Sequence, residues 1–189
     1  MARPRIRRFK RADLDAEQTA LYDSIVGERP FESAAKVVGP DGALEGPLNA
    51  RLLSPGVGSA AHEFAHALLH ALTLPVRQRE LAILTCAHVR RSEYVWAAHR
   101  TIALSLGIAR EEIDAIAGER TPATLSPAER AVVAAAASLA REGDLDDEQY
   151  AEAVAALGER QLFEVVMLIG QYSALALQTQ VYRVSYTAG

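Results

Sequence analysis

The stretch VRQRELAILTCAHVRRSEYVWAAHRTIALSLG, residues 76–107, limits what this chain can become more than any other. Its apolar residues recur at helical spacing on both sides of residues 90–92, which predicts two helices joined by a short break. Glu80 falls on the first helix and His99 on the second. Ser92, Trp96 and His99 stand at i, i+4 and i+7, so they share one helical face. A carboxylate on one helix and an imidazole on its neighbour form a candidate proton-handling pair. The rest of the chain reads as the scaffold that holds them.

Composition agrees with helices. Half of the 189 residues are hydrophobic but only 6% aromatic, and alanine is abundant. Alanine is the best helix former, and β-branched runs are few. The length suits one domain with a proper core. A formal charge of −4 gives no general attraction to nucleic acid or acidic membranes. The single cysteine, Cys86, excludes an internal disulfide and a CxxC pair, and its apolar helical setting reads as a buried structural thiol. No apolar segment follows the basic N-terminus, so no secretory signal is expected. The most apolar later run, FEVVMLIGQYSALALQ, is interrupted by Glu164 and Gln171 and fits a buried helix better than a membrane span. The cytoplasm is the expected location.

In chain order, MARPRIRRFKR places six basic residues in the first eleven, read as a flexible, solvated tail over 1–12 with a nucleic-acid arm as the alternative. The domain then runs over 13–189. Asp13 or Asp15 caps a first helix to about Val26. Residues 27–58 are rich in Gly and Pro and read as an irregular loop with one short turn, long enough to suggest a pocket-lining role. Asn49 is there either a pocket amide or a turn former. A helix over 59–72 ends before Pro75. After the central pair, Gly107 is the expected C′ residue. A short helix follows near 110–117. Ser126 before Pro127 marks the start of another, running to Gly143. Asp146 caps a helix to Leu157, and a last long helix spans about 159–181. The count is about eight helices and no convincing strand.

His62-Glu63-Phe64-Ala65-His66 matches HExxH, and His70 extends the spacing. Two histidines one turn apart can hold zinc with the glutamate as base. A zinc protease also needs a third ligand and usually a strand to hold the peptide, and neither is evident. The plainer reading is a polar helix face or subunit contact. Glu80 alone, in a first turn beside Arg77 and Arg79, reads as a structural carboxylate. His99 alone reads as a partly buried histidine, His88 is a weaker candidate, and Trp96 and Tyr94 read as core.

The joint spacing tilts the balance. Glu80-x11-Ser92-x2-Val95-x3-His99, with LTLPVRQREL leading in, GPLNARLLSP before it and LGERQLFEVV after, resembles the carboxymuconolactone decarboxylase family. The related alkylhydroperoxidase D branch carries Glu-x11-Cys-x2-Cys-x3-His at these places. The resemblance implies an all-α, homo-oligomeric protein, trimeric or hexameric, with a pocket between helices. It departs from the peroxidase branch where Ser92 and Val95 replace the two cysteines. Thiol peroxidase chemistry needs a thiolate and a resolving partner, and Cys86 lies six residues too early.

The decarboxylase branch implies cofactor-independent loss of carbon dioxide from a small carboxylated unsaturated lactone or related acid, with no metal and no organic cofactor. His99 is then the proton donor or enolate partner, and Glu80 orients and tunes it. Ser92, near the second helix's start, offers a hydroxyl or backbone donors to an anion. Trp96, Tyr94, Asn49 and His88 shape the substrate pocket. Other cofactor-free lyase or isomerase chemistry, or a non-catalytic binding protein, are the alternatives. A membrane partner is not expected, nor is nucleic acid.

Overall fold

α4 (Val76–Val89) is the helix around which the others pack. Every residue from Arg79 to Ala87 is buried, so the helix has no solvent face, as expected of a central element. The computed structural model describes residues 3–27 and 37–186. Part of the expected 27–58 loop, residues 28–36, lies outside the described residues, as do 1–2 and 187–189.

The described residues form α1 (Ala16–Gly27), α2 (Leu48–Arg51), α3 (Pro55–His70), α4, α5 (Glu93–Ser105), α6 (Arg110–Ala117), α7 (Pro127–Arg141) and α8 (Asp147–Val181), preceded by a 3-10 turn (Arg11–Asp13). No strand is present among them, only isolated bridges at Lys10–Ala43 and Val38–Leu44. The fold is all-α, as expected. α5, α6, α7 and α8 all pack on α4.

The helix boundaries follow local chemistry. Ser126 caps α7 with Pro127 in its first turn, and Glu129 reaches back to the Ser126 N–H to complete a capping box. Asp146 and Gln149 do the same for α8. α8 breaks at Gly158 (φ 77°), where two helices were expected end to end. Gly107 also takes positive φ, 79°, closing α5 as the expected C′ residue.

Charged groups tie the helices together. Arg77, a candidate partner for Glu80, instead pairs with Glu112 at 2.8 Å and Glu129 at 2.7 Å, joining α4 to α6 and α7. Glu164 on α8 accepts hydrogen bonds from the Thr73 N–H, the Thr73 hydroxyl and the Leu74 N–H, anchoring the α3–α4 connection. Burial pushes the Glu164 carboxyl up, but those three donors outweigh it and hold it below the ordinary value.

Two expectations for the N-terminal third change. The basic stretch over 3–12, read as a flexible tail, is docked: Phe9 is buried, and Arg8 pairs with Asp41 at 2.6 Å and Glu45 at 2.7 Å. Asn49 performs much of that docking. Its Oδ1 accepts from the Phe9 N–H at 2.9 Å, and its Nδ2 donates to the Arg7 carbonyl at 2.8 Å. Asn49 is buried with both ends of its amide engaged, so it is a clamp on the N-terminal segment rather than a pocket wall.

Candidate active site: a buried carboxylate and its imidazole

The α4–α5 turn creates the site. Arg91 sits at positive φ (53°), and Ser92 then caps α5 by accepting the Val95 N–H at 3.4 Å. The turn folds α5 back along α4 and brings Glu80 against His99, with Oε2 to Nδ1 at 2.7 Å. Glu80 is fully buried, while the His99 side chain keeps 12% of its surface accessible.

The second Glu80 oxygen, Oε1, accepts from Arg79 Nε at 3.1 Å, and Arg79 also donates to the Leu69 carbonyl at 3.0 Å. Burial pushes the Glu80 carboxyl up; the His99 hydrogen bond, with the charges of His99 and Arg79, outweighs it and holds the carboxyl below its ordinary value. Glu80 is therefore a carboxylate at neutral pH. A carboxylate can only accept, so the His99 proton facing it sits on Nδ1. That leaves Nε2 as the ring nitrogen available for chemistry. The His99 ring also meets Tyr172 of α8 edge-on, with centroids 5.0 Å apart and planes at 87°.

Ser92 is elsewhere engaged. It is 2% exposed, and its hydroxyl lies 3.2 Å from that of Thr179 on α8 while it caps α5. No hydrogen bond joins it to Glu80 or His99. Trp96, one turn before His99, packs against two core clusters, and its ring meets the edge of His88 at 6.0 Å. His88 faces Glu119 at 3.6 Å and lines a small cavity of about 160 Å³ between α4, α6 and α7. It does not touch the Glu80–His99 pair.

Tyr94 lies on the other side of α5. It packs edge-on against Tyr186 at 5.6 Å in a cleft of about 530 Å³ lined also by Arg91, Thr179 and Arg183. Burial, with Tyr186 and Glu45 nearby, pushes its hydroxyl up to about 12. A Cβ at Gly46 would stand 2.1 Å from that hydroxyl, so only glycine fits there. Of the seven expected site residues, Glu80 and His99 form a hydrogen-bonded side-chain pair, and Trp96 and His88 meet ring to edge.

Sequence reasoning missed Tyr172. Inside QYSALALQ it is one aromatic in an apolar helix, and nothing local says which neighbour its ring meets. Cys86 is buried, as expected, with Sγ 3.9 Å from the Ile169 carbonyl and 3.7 Å from the Ser173 hydroxyl. Burial pushes its thiol up, against the weaker pull of Ser173 and Arg90. In the HExxH helix, His62 Nδ1 contacts Arg51, Glu63 accepts from Ser59 at 3.1 Å, and the His66 and His70 rings lie 4.2 Å apart. Among the described residues no group of three or more His, Cys, Asp or Glu could hold a metal ion, and no helix is long and apolar enough to cross a membrane.

Comparison with known proteins agrees with this frame. No curated protein sequence matches the chain. Among solved structures it is similar to the debrominase Bmp8 C82A in complex with 2,3,4-tribromopyrrole, with a TM-score of 0.73, 15% identity, and 98% of this chain and 93% of that one covered. It is also similar to ATU0492 of Agrobacterium tumefaciens, a protein of unknown function proposed as the antioxidant defence protein AhpD (TM-score 0.68, 14% identity, 77% and 100% covered). A third is an uncharacterized peroxidase-related protein of Silicibacter sp. TM1040 (0.67, 14%, 85% and 95%). At such identities the likeness is one of fold. Residues 55–138, from the first turn of α3 into α7, match the Carboxymuconolactone decarboxylase family and include Glu80, Ser92, Trp96 and His99. Residues 55–138 thus match the carboxymuconolactone decarboxylase family, within a helical fold similar to that of the AhpD-like structures.

Proposed function

We propose that this chain is a cofactor-independent enzyme, decarboxylase-like, acting on a small carboxylated unsaturated lactone or related organic acid. One observation carries the reading: a fully buried, ionised Glu80 fixes one nitrogen of a partly accessible His99 at 2.7 Å. Burying a carboxylate is costly, and pairing it with one imidazole commits that ring to a single orientation.

The chemistry balances without a cofactor. The bond between the substrate's carbon and its carboxylate breaks, carbon dioxide leaves, and the electron pair moves into a dienolate ending on the lactone carbonyl oxygen. His99, as imidazolium, delivers the Nε2 proton to carbon, and solvent restores it. Glu80 offsets the imidazolium charge and holds the ring through Nδ1. Ser92 caps the helix that carries His99, and Trp96 shapes the space beside it. Thiol peroxidase chemistry is disfavoured because Ser92 and Val95 hold no sulfur and Cys86 is a buried thiol.

The test is incubation of the purified chain with carboxymuconolactone and related unsaturated acids, following carbon dioxide release and loss of absorbance. The expected result is turnover that falls by about 10²–10⁴ in His99→Asn. Turnover unchanged in that variant removes His99 from the mechanism. Consumption of an unsaturated acid without carbon dioxide release, but with the same His99 dependence, points to isomerase or other lyase chemistry at the same pair.

A further inference from the structure

The cleft of about 530 Å³ beside Tyr94 stands apart from the Glu80–His99 pair, neither of which lines it. It opens where the ends of α4 and α8 come together, and each end contributes an arginine, Arg91 and Arg183. Both are exposed, and among the described residues neither guanidinium has an ion-pair or hydrogen-bond partner. Arg8 and Arg77, in contrast, each hold two carboxylates.

The backbone holds these two arginines in place. Both take φ at 53°, a left-handed conformation that glycine adopts at least cost. Each follows its helix's C-cap in a Schellman turn: the Ser92 N–H donates to the Ala87 carbonyl at 2.9 Å, and the Val184 N–H to the Thr179 carbonyl at 2.8 Å. Gln180 then ties the two turns together. Its Nε2 donates to the Arg91 carbonyl at 3.2 Å, and its own carbonyl accepts from the Arg183 N–H at 3.2 Å. Two like charges are thus anchored on one residue, an arrangement that an anion between them relieves. The lining is otherwise largely aromatic, with the Tyr94 and Tyr186 rings edge-on at 5.6 Å. The Tyr94 hydroxyl makes no hydrogen bond to a described residue, and its raised titration keeps it a donor at neutral pH. Glu93 is the acidic side chain of the lining, so two cations stand against one anion, a balance that suits a singly charged guest.

We propose that this cleft is a binding site for a small organic monoanion with a flat, unsaturated body, of the class of an aromatic monocarboxylate. The carboxylate lies between Arg91 and Arg183, whose planar forks match its two oxygens, and the ring packs against Tyr94 and Tyr186. The volume is of the order that small-molecule sites have. Bare phosphate meets the same cations but leaves the aromatic wall unused. Binding here is independent of the chemistry at His99.

The test is calorimetric titration of the full chain with benzoate. Benzamide serves as the uncharged control of the same shape, and inorganic phosphate as the anion without a ring. The expected result is one benzoate per chain with a dissociation constant at or below about 1 mM, and binding at least about tenfold weaker for both controls. Arg91→Gly and Arg183→Gly suit the positive φ, so each removes a guanidinium without straining its turn. Each should weaken benzoate at least about tenfold with helical content unchanged. His99→Asn should leave benzoate binding within about twofold of wild type. Benzoate binding that survives both glycine variants, or that is lost in His99→Asn but not in them, places the acid elsewhere and overturns the proposal. So does phosphate binding as tight as that of benzoate, or no benzoate uptake at about 10 mM.

Discussion

Glu80 and His99 are 19 positions apart in sequence and 2.7 Å apart in space, and the carboxylate of that pair has no contact with solvent. Such a pair is held from both sides. Arg79 occupies the second Glu80 oxygen, and Tyr172 closes on the His99 ring.

Removing the imidazole therefore damages two things, and two variants separate them. His99→Ala strands a buried carboxylate, which costs about 3–5 kcal/mol of stability when a buried pair is broken. His99→Asn keeps a donor near the Nδ1 position and should be clearly more stable in urea denaturation. Both should lose turnover equally. If His99→Asn restores turnover along with stability, the ring is structural.

Glu80→Gln tests the other half. Turnover should fall nearly as far as in the His99 variants, and its pH profile should move, because the amide cannot offset the imidazolium charge. An unchanged profile with intact folding makes Glu80 a structural group only.

Acid stability follows from depressed carboxyls, Glu80 and Glu164 among them. A carboxyl held lower in the folded chain than in the unfolded one contributes stability that is fully present above the ordinary value of 4.5. That contribution is lost as the pH falls through the folded value. Glu164→Gln should thus be less stable than wild type at pH 7, with the gap closing below about pH 4 in thermal melts. A gap independent of pH would mean that the Glu164 charge does not matter.

Asn49 and Ser92 should behave as structural residues. Asn49→Ala leaves the Phe9 N–H and Arg7 carbonyl without their partner and should cost about 1–3 kcal/mol, with faster proteolysis of the N-terminal segment and unchanged KM. Ser92→Ala loses a helix cap and should cost about 0.5–2 kcal/mol while turnover changes less than tenfold. A large rise in KM for Asn49→Ala would return that residue to the pocket.

The helices were readable because each has its own local signal: Ser126 with Pro127, Asp146 with Gln149, Gly107 after α5, and the break before Ser92. The Glu80–His99 pairing was readable because a short turn between two helices of known phase leaves few ways to fold back. Tyr172 was not, since its contact depends on how α8 is rotated against α5, and no local pattern encodes that. Asn49 and the N-terminal segment misled for a related reason. Six basic residues look like a solvated tail, but Asp41 and Glu45 pair with Arg8, and the Asn49 amide binds the backbone of Arg7 and Phe9. Tyr94 and His88 sit close to His99 in sequence, yet helical phase turns them toward other cavities.

An ionised Glu80 holds the His99 proton on Nδ1 and leaves Nε2 to react. Nitrogen-15 NMR of the histidine side chains, with His99 assigned by substitution, tests it most directly. The neutral His99 ring should be the Nδ1–H tautomer in the wild-type chain and lose that preference in Glu80→Gln. A His99 ring protonated on Nε2 alone, with Nδ1 bare toward Glu80, would contradict it.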